Sequence, residues 1–493
     1  MRHIFKILLT GFLVLSIFAC EELPENVDPK QPEEANSQSL FLNAQINLVD
    51  YVSSINQNLN NSRLLAQYAA QTTYTDESRY NFLDRQFNDA LWDLLYHNVL
   101  FDLKEARAVL EKEKEITAMS TEQINNRMAA IDVLEVYAYH VLVDQFGNVP
   151  YTEALQGADD PTPAYDDAQA IYEDLINRLN DDLETFDVSG DTWGDYDWFY
   201  SGATENWIYF ANSLKLRLAM RVADVSEGWE TGDPQTWAED AIEDGVFPSQ
   251  ETSVKFTYPG TSPNIYTIYE EMIEGGRKDF VPANTIVDLM NSLEDPRRYY
   301  YLDPHTGDPD YFEGGEYGSG NTWGGTASYF DQTLKEPDYT FTLIDYVEVE
   351  FLLAEADERG YNVDDDAQTH YENAITASIL DWGGNQAEVI SYLSNEDVDY
   401  DNAPGDWRQK IGTQKYIALF DRGVEAWAEW RRLDYPEFNP PPGMDYSDIP
   451  VRQPYPFDED NLNLQNYEEA AAAIGGDEVS TRLFWDTEPS PFL

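Results

Sequence analysis

The chain of 493 residues holds one cysteine, Cys20, so no disulfide is available and the fold must be held by a buried apolar core. The position of that cysteine adds a second constraint. Arg2 and Lys6 open the sequence, an apolar run extends from Ile7 to Phe18, and Ala19 stands directly before Cys20. The run is far short of the ~18 apolar residues that a membrane span requires, and its basic start and small final residue have the form of a secretory signal. Residues 1–19 are expected to be removed and Cys20 to carry lipid, each buried methylene of which adds ~0.8 kcal/mol to membrane attachment. The alternative, an ordinary cleaved signal, leaves the placement of the only cysteine unexplained.

Charge narrows the ligand classes. Lys and Arg number 30 against 93 Asp and Glu, a net charge of −63, and the imbalance grows once Arg2 and Lys6 leave with the signal. Such a surface lacks the basic footprint that phosphate binding needs, which excludes a nucleic-acid partner. It also repels anionic polymers, so neutral ligands are favoured, and it suits a saline, cation-rich surrounding.

Length alone suggests about three domains at ~150 residues each, yet no long linker divides the chain after the acidic, Pro-containing stretch 21–36, which reads as disordered. The expected organisation is a signal at 1–19, a lipidated flexible tether at 20–40 and a single body at 41–493. That body reads as mainly α-helical. The stripe Ile124, Met128, Ile131, Leu134, Ala138, Val141 has helical spacing, with Thr121 as its expected cap. Thr204 is the expected cap of another, with Trp207, Phe210, Leu214, Leu218 and Val222 inward. A third is expected as one helix from about Gln414 to Asp434, and others at 41–60, 86–113, 166–185, 345–359 and 366–380. Gly-, Asp- and aromatic-rich loops fall at 188–203, 257–267, 303–331 and 395–407. Helix pairs in such numbers point to helix-turn-helix stacking, although no repeat of fixed period is present.

Catalytic signatures are missing: no G-x-S-x-G elbow, P-loop, G-x-G-x-x-G or H-E-x-x-H occurs. The histidines His97, His140, His305 and His370 are scattered, which argues against a histidine-based zinc site, and no catalytic or metal-ligating set is assigned. Acids are abundant enough that a glycosidase pair stays open as an alternative. Asp397, Asp399 and Asp401 begin like a calcium loop, but Asn402 stands where the turn needs glycine and Arg408 where the bidentate Glu belongs. The segment reads as a polar loop, with a structural calcium as the minor alternative and no other cofactor expected.

Aromatic residues in the loops are more informative. Trp193, Tyr196, Trp198, Phe199 and Tyr200 crowd one Gly/Asp-rich segment, and Tyr311, Phe312, Tyr317, Trp323 and Tyr329 another. A flat ring beside hydrogen-bonding side chains suits a sugar, which offers an apolar C–H face and a hydroxyl rim. The competing reading is that these loops bury their own rings. The candidate binding residues are Trp193, Tyr196, Trp198, Trp323 and Tyr329, with Tyr74 and Tyr80 from an N-terminal polar stretch, and Asp195, Asp197 and Asn321 for the hydroxyl rim.

Several blocks, taken in order, resemble the SusD/RagB-type (SusD-like) lipoproteins: 145–151 (QFGNVPY), 165–183 (YDDAQAIYEDLINRLNDDL), 207–221 (WIYFANSLKLRLAMR), 346–356 (YVEVEFLLAEA), 412–436, Ile449 to Arg452 with Tyr455-Pro456, and Arg482 to Asp486. Tyr416 and Phe484 depart from it, each standing where Trp is frequent. The resemblance implies a tetratricopeptide-like helical scaffold and a non-enzymatic surface lipoprotein of a Gram-negative outer membrane. Such a protein captures a neutral oligosaccharide, or in some branches a peptide, and delivers it to a TonB-dependent SusC-like transporter. It also implies that Glu21 and Glu22 act as the export signal. The blocks themselves are then scaffold, with Glu425, Glu429, Arg431 and Arg432 as helix-surface or paired structural charges, Arg217 and Arg221 as partners for buried or half-buried acids, and the ligand site on variable loops.

Overall fold

The computed structural model describes residues 35–82, 88–305 and 307–493, and Ser37–Leu493 forms one compact unit. Cys20, Glu21, Glu22 and the signal lie outside the described residues. The main helices are α1 (Ser37–Ser53), α2 (Phe101–Glu113), α3 (Thr121–Phe146), α4 (Ala168–Thr185), α5 (Thr204–Arg221), α6 (Pro234–Asp244), α7 (Asn284–Ser292), α8 (Tyr346–Glu358), α9 (Ala367–Asp381), α10 (Trp407–Ala418) and α11 (Gly423–Leu433). Neighbours in sequence pack together, α1 on α2, α3 on α4, α5 on α6, α8 on α9 and α10 on α11, while α4–α5, α5–α8 and α8–α10 contacts join the pairs. A mainly helical body with long loops is therefore the observed fold. The strands are short: β1 (Ala69–Gln71), β2 (Val149–Pro150), β3 (Tyr165–Asp166), β4 (Val254–Thr257), β5 (Phe280–Pro282), β6 (Leu302–Asp303), β7 (Tyr329–Phe330) and β8 (Thr340–Ile344). They form antiparallel two-stranded ribbons, β1 with β5, β2 with β3, β4 with β8 and β6 with β7.

Helix starts differ from the sequence expectation for local reasons. Ser120, not Thr121, caps α3: its hydroxyl accepts from Gln123 N at 3.2 Å while Gln123 Oε1 accepts from Ser120 N at 3.2 Å, a reciprocal box that satisfies two otherwise orphaned donors. Thr204 does not cap α5; its hydroxyl donates to the Gly190 carbonyl at 2.6 Å and so ties the 188–203 loop to the helix start. The single helix expected over 414–434 is two, because Asp421 and Arg422 turn inward between them. Asp421 accepts from Tyr339 Oη at 2.9 Å, and Arg422 Nη1 reaches Asp345 at 3.0 Å and Glu348 at 3.1 Å. Gly423 opens α11 against Arg63, where a Cβ would stand 2.7 Å from the Arg63 nitrogen. Over 86–113, a π-helical turn at Leu95–Leu100 separates Asp89–Leu94 from α2.

Charges fill the middle of the helical body. Arg217 grips Glu348 with two bonds, at 2.6 and 2.7 Å. Arg221 donates to Asp144 at 3.1 Å, to Glu425 at 2.5 Å and to Glu429. Glu429 also accepts from Lys415 at 2.6 Å and from Arg432 at 2.7 Å, and Arg432 reaches Glu355 at 2.6 Å. All of these side chains are buried. Burial pushes the Glu425 carboxyl up, but Arg217 and Arg221 outweigh it and hold the group at about 2. A buried carboxylate survives only with such partners. The paired structural roles expected for Arg217, Arg221, Glu425, Glu429 and Arg432 are what the geometry contains. Arg431 differs, since no acid pairs with it directly: it donates to the Asp144 carbonyl at 2.7 Å and lies 3.8 Å over the Trp427 ring.

A second set of acids, Asp486 buried and three others half-buried, has weaker compensation. Burial pushes Asp486 up to about 7 and Asp50, Asp89 and Asp434 up to about 6. Arg482 lies 3.2 Å from Asp486, but it is 30% exposed and its pull is screened, so burial wins. These groups bind protons in the folded chain at a pH where the unfolded chain has released them. Their contribution to stability is full below their ordinary value of 3.8 and is lost as pH rises through 6 to 7. The melting temperature is expected to be higher at pH 5 than at pH 8 by calorimetry, and a flat profile across that range would show that these carboxylates ionise freely.

Candidate ligand-binding surface

The first aromatic cluster is built into the core. Trp193 is 1% exposed, its ring stacked on Phe41 of α1 at 4.5 Å and 16°, with the Arg127 guanidinium 4.9 Å above it. Asp197 is equally buried and accepts from Trp207 Nε1 at 2.8 Å, Thr192 Oγ1 at 3.2 Å and the backbone of Phe199, Tyr200 and Gly202. Gln45 of α1 completes the staple, donating to the Tyr196 carbonyl at 2.9 Å and accepting from Trp198 N at 3.1 Å. Trp198 is half-buried with its ring 5.4 Å from Phe256, Tyr196 is half-buried against the core, and Asp195 alone faces solvent. Trp193 and Asp197 are thus corrected from ligand candidates to loop-fixing residues, because every face a ligand would need is already covered.

The second cluster has a different environment. The β1–β5 ribbon carries a small satellite core of Ala70, Val281, Ala283 and Tyr317, against which Tyr80, Trp323 and Tyr329 pack from outside, all half-exposed. Trp323 and Tyr329 lie 4.6 Å apart at 35°. The 303–331 loop reaches this ribbon because Gly314 allows it: a Cβ there would lie 2.3 Å from the Asn284 Cα. Asn321 anchors the approach, its backbone N–H and its amide both donating to the Gln71 carbonyl, at 3.0 and 2.9 Å, and the amide also to Glu316 O at 3.0 Å. Asn321 therefore positions the loop and has no amide hydrogen left over for a ligand. Three residues beyond Gln71, Tyr74 is 65% exposed in a left-handed turn at φ 54°. Arg79 ties the two segments together through the Gly318 carbonyl at 3.2 Å. Tyr80, Trp323 and Tyr329, scattered in sequence, thus pack on one satellite core, with Tyr74 exposed on the segment that leaves β1.

Two further rings are exposed nearby in sequence, Tyr311 from the same aromatic loop and Tyr299, which was not a candidate. Tyr299 and Tyr311 are 41% and 45% exposed, and the Arg298 guanidinium lies 5.2 Å from the Tyr299 ring. Glu313 binds Tyr311 into the loop, accepting from Tyr311 Oη at 2.5 Å and Thr326 Oγ1 at 2.6 Å, while Tyr299 Oη donates to Asp310 at 2.9 Å. Tyr299 stands in the run Tyr299-Tyr300-Tyr301, which lies outside the Gly- and Asp-rich loops that singled out the other rings. The Asp397–Asp401 stretch is a turn: Asp399 Oδ1 accepts from the backbone of Asp401 and Asn402 at 3.1 Å each. Among the described residues no group of three or more His, Cys, Asp or Glu is arranged to hold a metal.

A family model described as starch-binding, associating with the outer membrane, matches residues 29–456. The chain belongs to the SusD-like family. Solved structures agree on the fold. A chitin-binding protein is 26% identical with a TM-score of 0.78, covering 92% of this chain and 100% of that one. A chitin-binding SusD homologue from Flavobacterium johnsoniae is 24% identical at 0.76, covering 92% and 99%. A SusD homologue from Bacteroides ovatus is 23% identical at 0.75, with the same coverage. No curated protein sequence matches the chain significantly. The family assignment agrees with the resemblance read from the ordered blocks between Gln145 and Asp486. No helix among the described residues of this SusD-like protein is long and apolar enough to cross a membrane.

Proposed function

We propose that this SusD-like protein is a cell-surface lipoprotein, not an enzyme, that binds a neutral oligosaccharide and delivers it to a TonB-dependent SusC-like transporter. The observation that carries the binding reading is the packing of Tyr80, Trp323 and Tyr329, all partly exposed, on the satellite core of the β1–β5 ribbon, with the exposed Tyr74 three residues beyond β1. Two similar solved structures are described as chitin-binding, and chitin is an uncharged polymer compatible with a net charge of −63. Chitin hexasaccharide is therefore the first ligand to test, followed by glucan and mannan hexasaccharides.

Ring stacking contributes ~0.5–1.5 kcal/mol beyond area burial, so Trp323→Ala and Tyr74→Ala should each weaken binding roughly 2- to 12-fold in calorimetry. Tyr74 is 65% exposed and Trp323 is only partly buried, so melting temperatures should stay near the parent's. Parental affinity in both variants would remove this surface as the site, and release of shorter products would favour a hydrolase. For the anchor, Cys20→Ser is expected to move the protein from the membrane fraction to the soluble one without changing its melting temperature. Retention of that variant in washed membranes would sink the lipid-anchor reading unless transporter contacts hold it, which co-purification from mild detergent would reveal.

A further inference from the structure

Helix α7 separates the aromatic loop from a cleft of about 620 Å³, a volume typical of small-ligand sites. Asn291 on one face of α7 donates to the Phe312 carbonyl at 2.9 Å and so holds the aromatic loop. Thr285, Asp288, Leu289 and Ser292, at helical spacing, face the cleft instead. Gln409 and Thr413, one turn apart on α10, form the second wall, and Tyr435 and Phe492 the third. Gly412 lets that third wall approach, since a Cβ there would lie 3.2 Å from the Tyr435 Cβ. The rings of Tyr435 and Phe492 meet edge to face at 5.5 Å.

The lining is two-sided in chemistry. Leu289, Leu293 and the two rings give an apolar face. Opposite them, the Gln409 amide and the Thr413 hydroxyl make no hydrogen bond among the described residues, while the Asn439 amide is fixed by Thr285 Oγ1 at 2.9 Å. The one basic residue among the described lining, Lys410, donates to the Tyr400 carbonyl at 2.7 Å, whereas Asp288, Asp397 and Glu437 line the cleft as acids. That charge balance turns anions away, and an apolar face against uncommitted amide and hydroxyl groups matches a saccharide ring.

We infer that this cleft is a second site for a neutral oligosaccharide, distinct from the Tyr74–Trp323 surface; the inference rests on the glycan-binding reading. The test is calorimetric stoichiometry with chitin, glucan and mannan hexasaccharides on the parent, on Trp323→Ala and on Gln409→Trp, which fills the cleft from a half-exposed helix position. Thr413→Met serves as the filling variant if Gln409→Trp melts low. Two sites per chain in the parent and one in the filled variant, with the remaining affinity unchanged, is the expected result. One site that weakens in Trp323→Ala and is unchanged in Gln409→Trp overturns the second site and leaves the proposed function standing. One site that disappears in Gln409→Trp and persists in Trp323→Ala supports the cleft and removes the aromatic surface. Binding of none of the three sugars by the parent overturns both.

Discussion

Replacing Glu429 by Ala is expected to cost this protein a large part of its stability. The carboxylate accepts from Arg221 on α5, Lys415 on α10 and Arg432 on α11, all buried. Removing one partner of a buried pair costs ~3–5 kcal/mol, because the remaining charge is stranded in a medium that solvates it poorly. Here three cations lose a partner at once, against a total stability of ~5–15 kcal/mol for a typical domain. Burial pushes the Glu429 carboxyl up, but Arg432, Lys415 and Arg221 hold it well below the ordinary 4.5. Its contribution is therefore complete at pH 7 and is lost only as pH falls through that depressed value. Urea unfolding at pH 7 of Glu429→Ala, with Glu429→Gln as the shape-conserving control, should give a large loss in both or no soluble protein. A loss under about 1 kcal/mol in both, the size of an ordinary surface change, would show that the helices are held by apolar packing alone.

This network also marks how far the sequence could be read. Arg217 and Arg221, one turn apart on an apolar helix, announced that acids must meet them, but 93 candidates stood in the chain. The partner of Arg217 proved to be Glu348, 131 positions away. Pairing is a local deduction, whereas partner identity is a property of the folded stack. The same limit explains the α10–α11 break. Ile417, Phe420 and Val424 keep helical spacing straight through it, and only the pull of Asp345 and Glu348 on Arg422 shows why the helix ends. Helix positions elsewhere were legible because their apolar stripes are self-contained, as at α4, α8 and α9, whose bounds lie within a residue or two of expectation. The candidate site was half legible. Tyr74, Tyr80, Trp323 and Tyr329 were singled out by loop composition, yet nothing in sequence said that Tyr80 meets the last two at one ribbon.

The same composition misled at Trp193, and that yields the second large effect. Trp193 and Trp323 both sit among Gly and Asp in long loops. The difference is burial: Trp193 is 1% exposed with Phe41 and Arg127 against its ring, while Trp323 is only partly buried where it packs on the two cores. Truncating a buried Trp to Ala removes its transfer energy and leaves a cavity, at a cost of ~3–5 kcal/mol. Trp193→Ala should therefore unfold at markedly lower denaturant concentration while the molecules still folded bind sugar like the parent. Trp323→Ala should do the reverse, keeping the parental midpoint and losing affinity. Denaturation and calorimetry run side by side, well below both midpoints, separate the two. If Trp193→Ala instead keeps parental stability and binds weakly, the 188–203 loop opens in solution and its rings belong to the site after all. That outcome would also require Gln45 to release both Tyr196 and Trp198, which amide exchange across the loop would register directly.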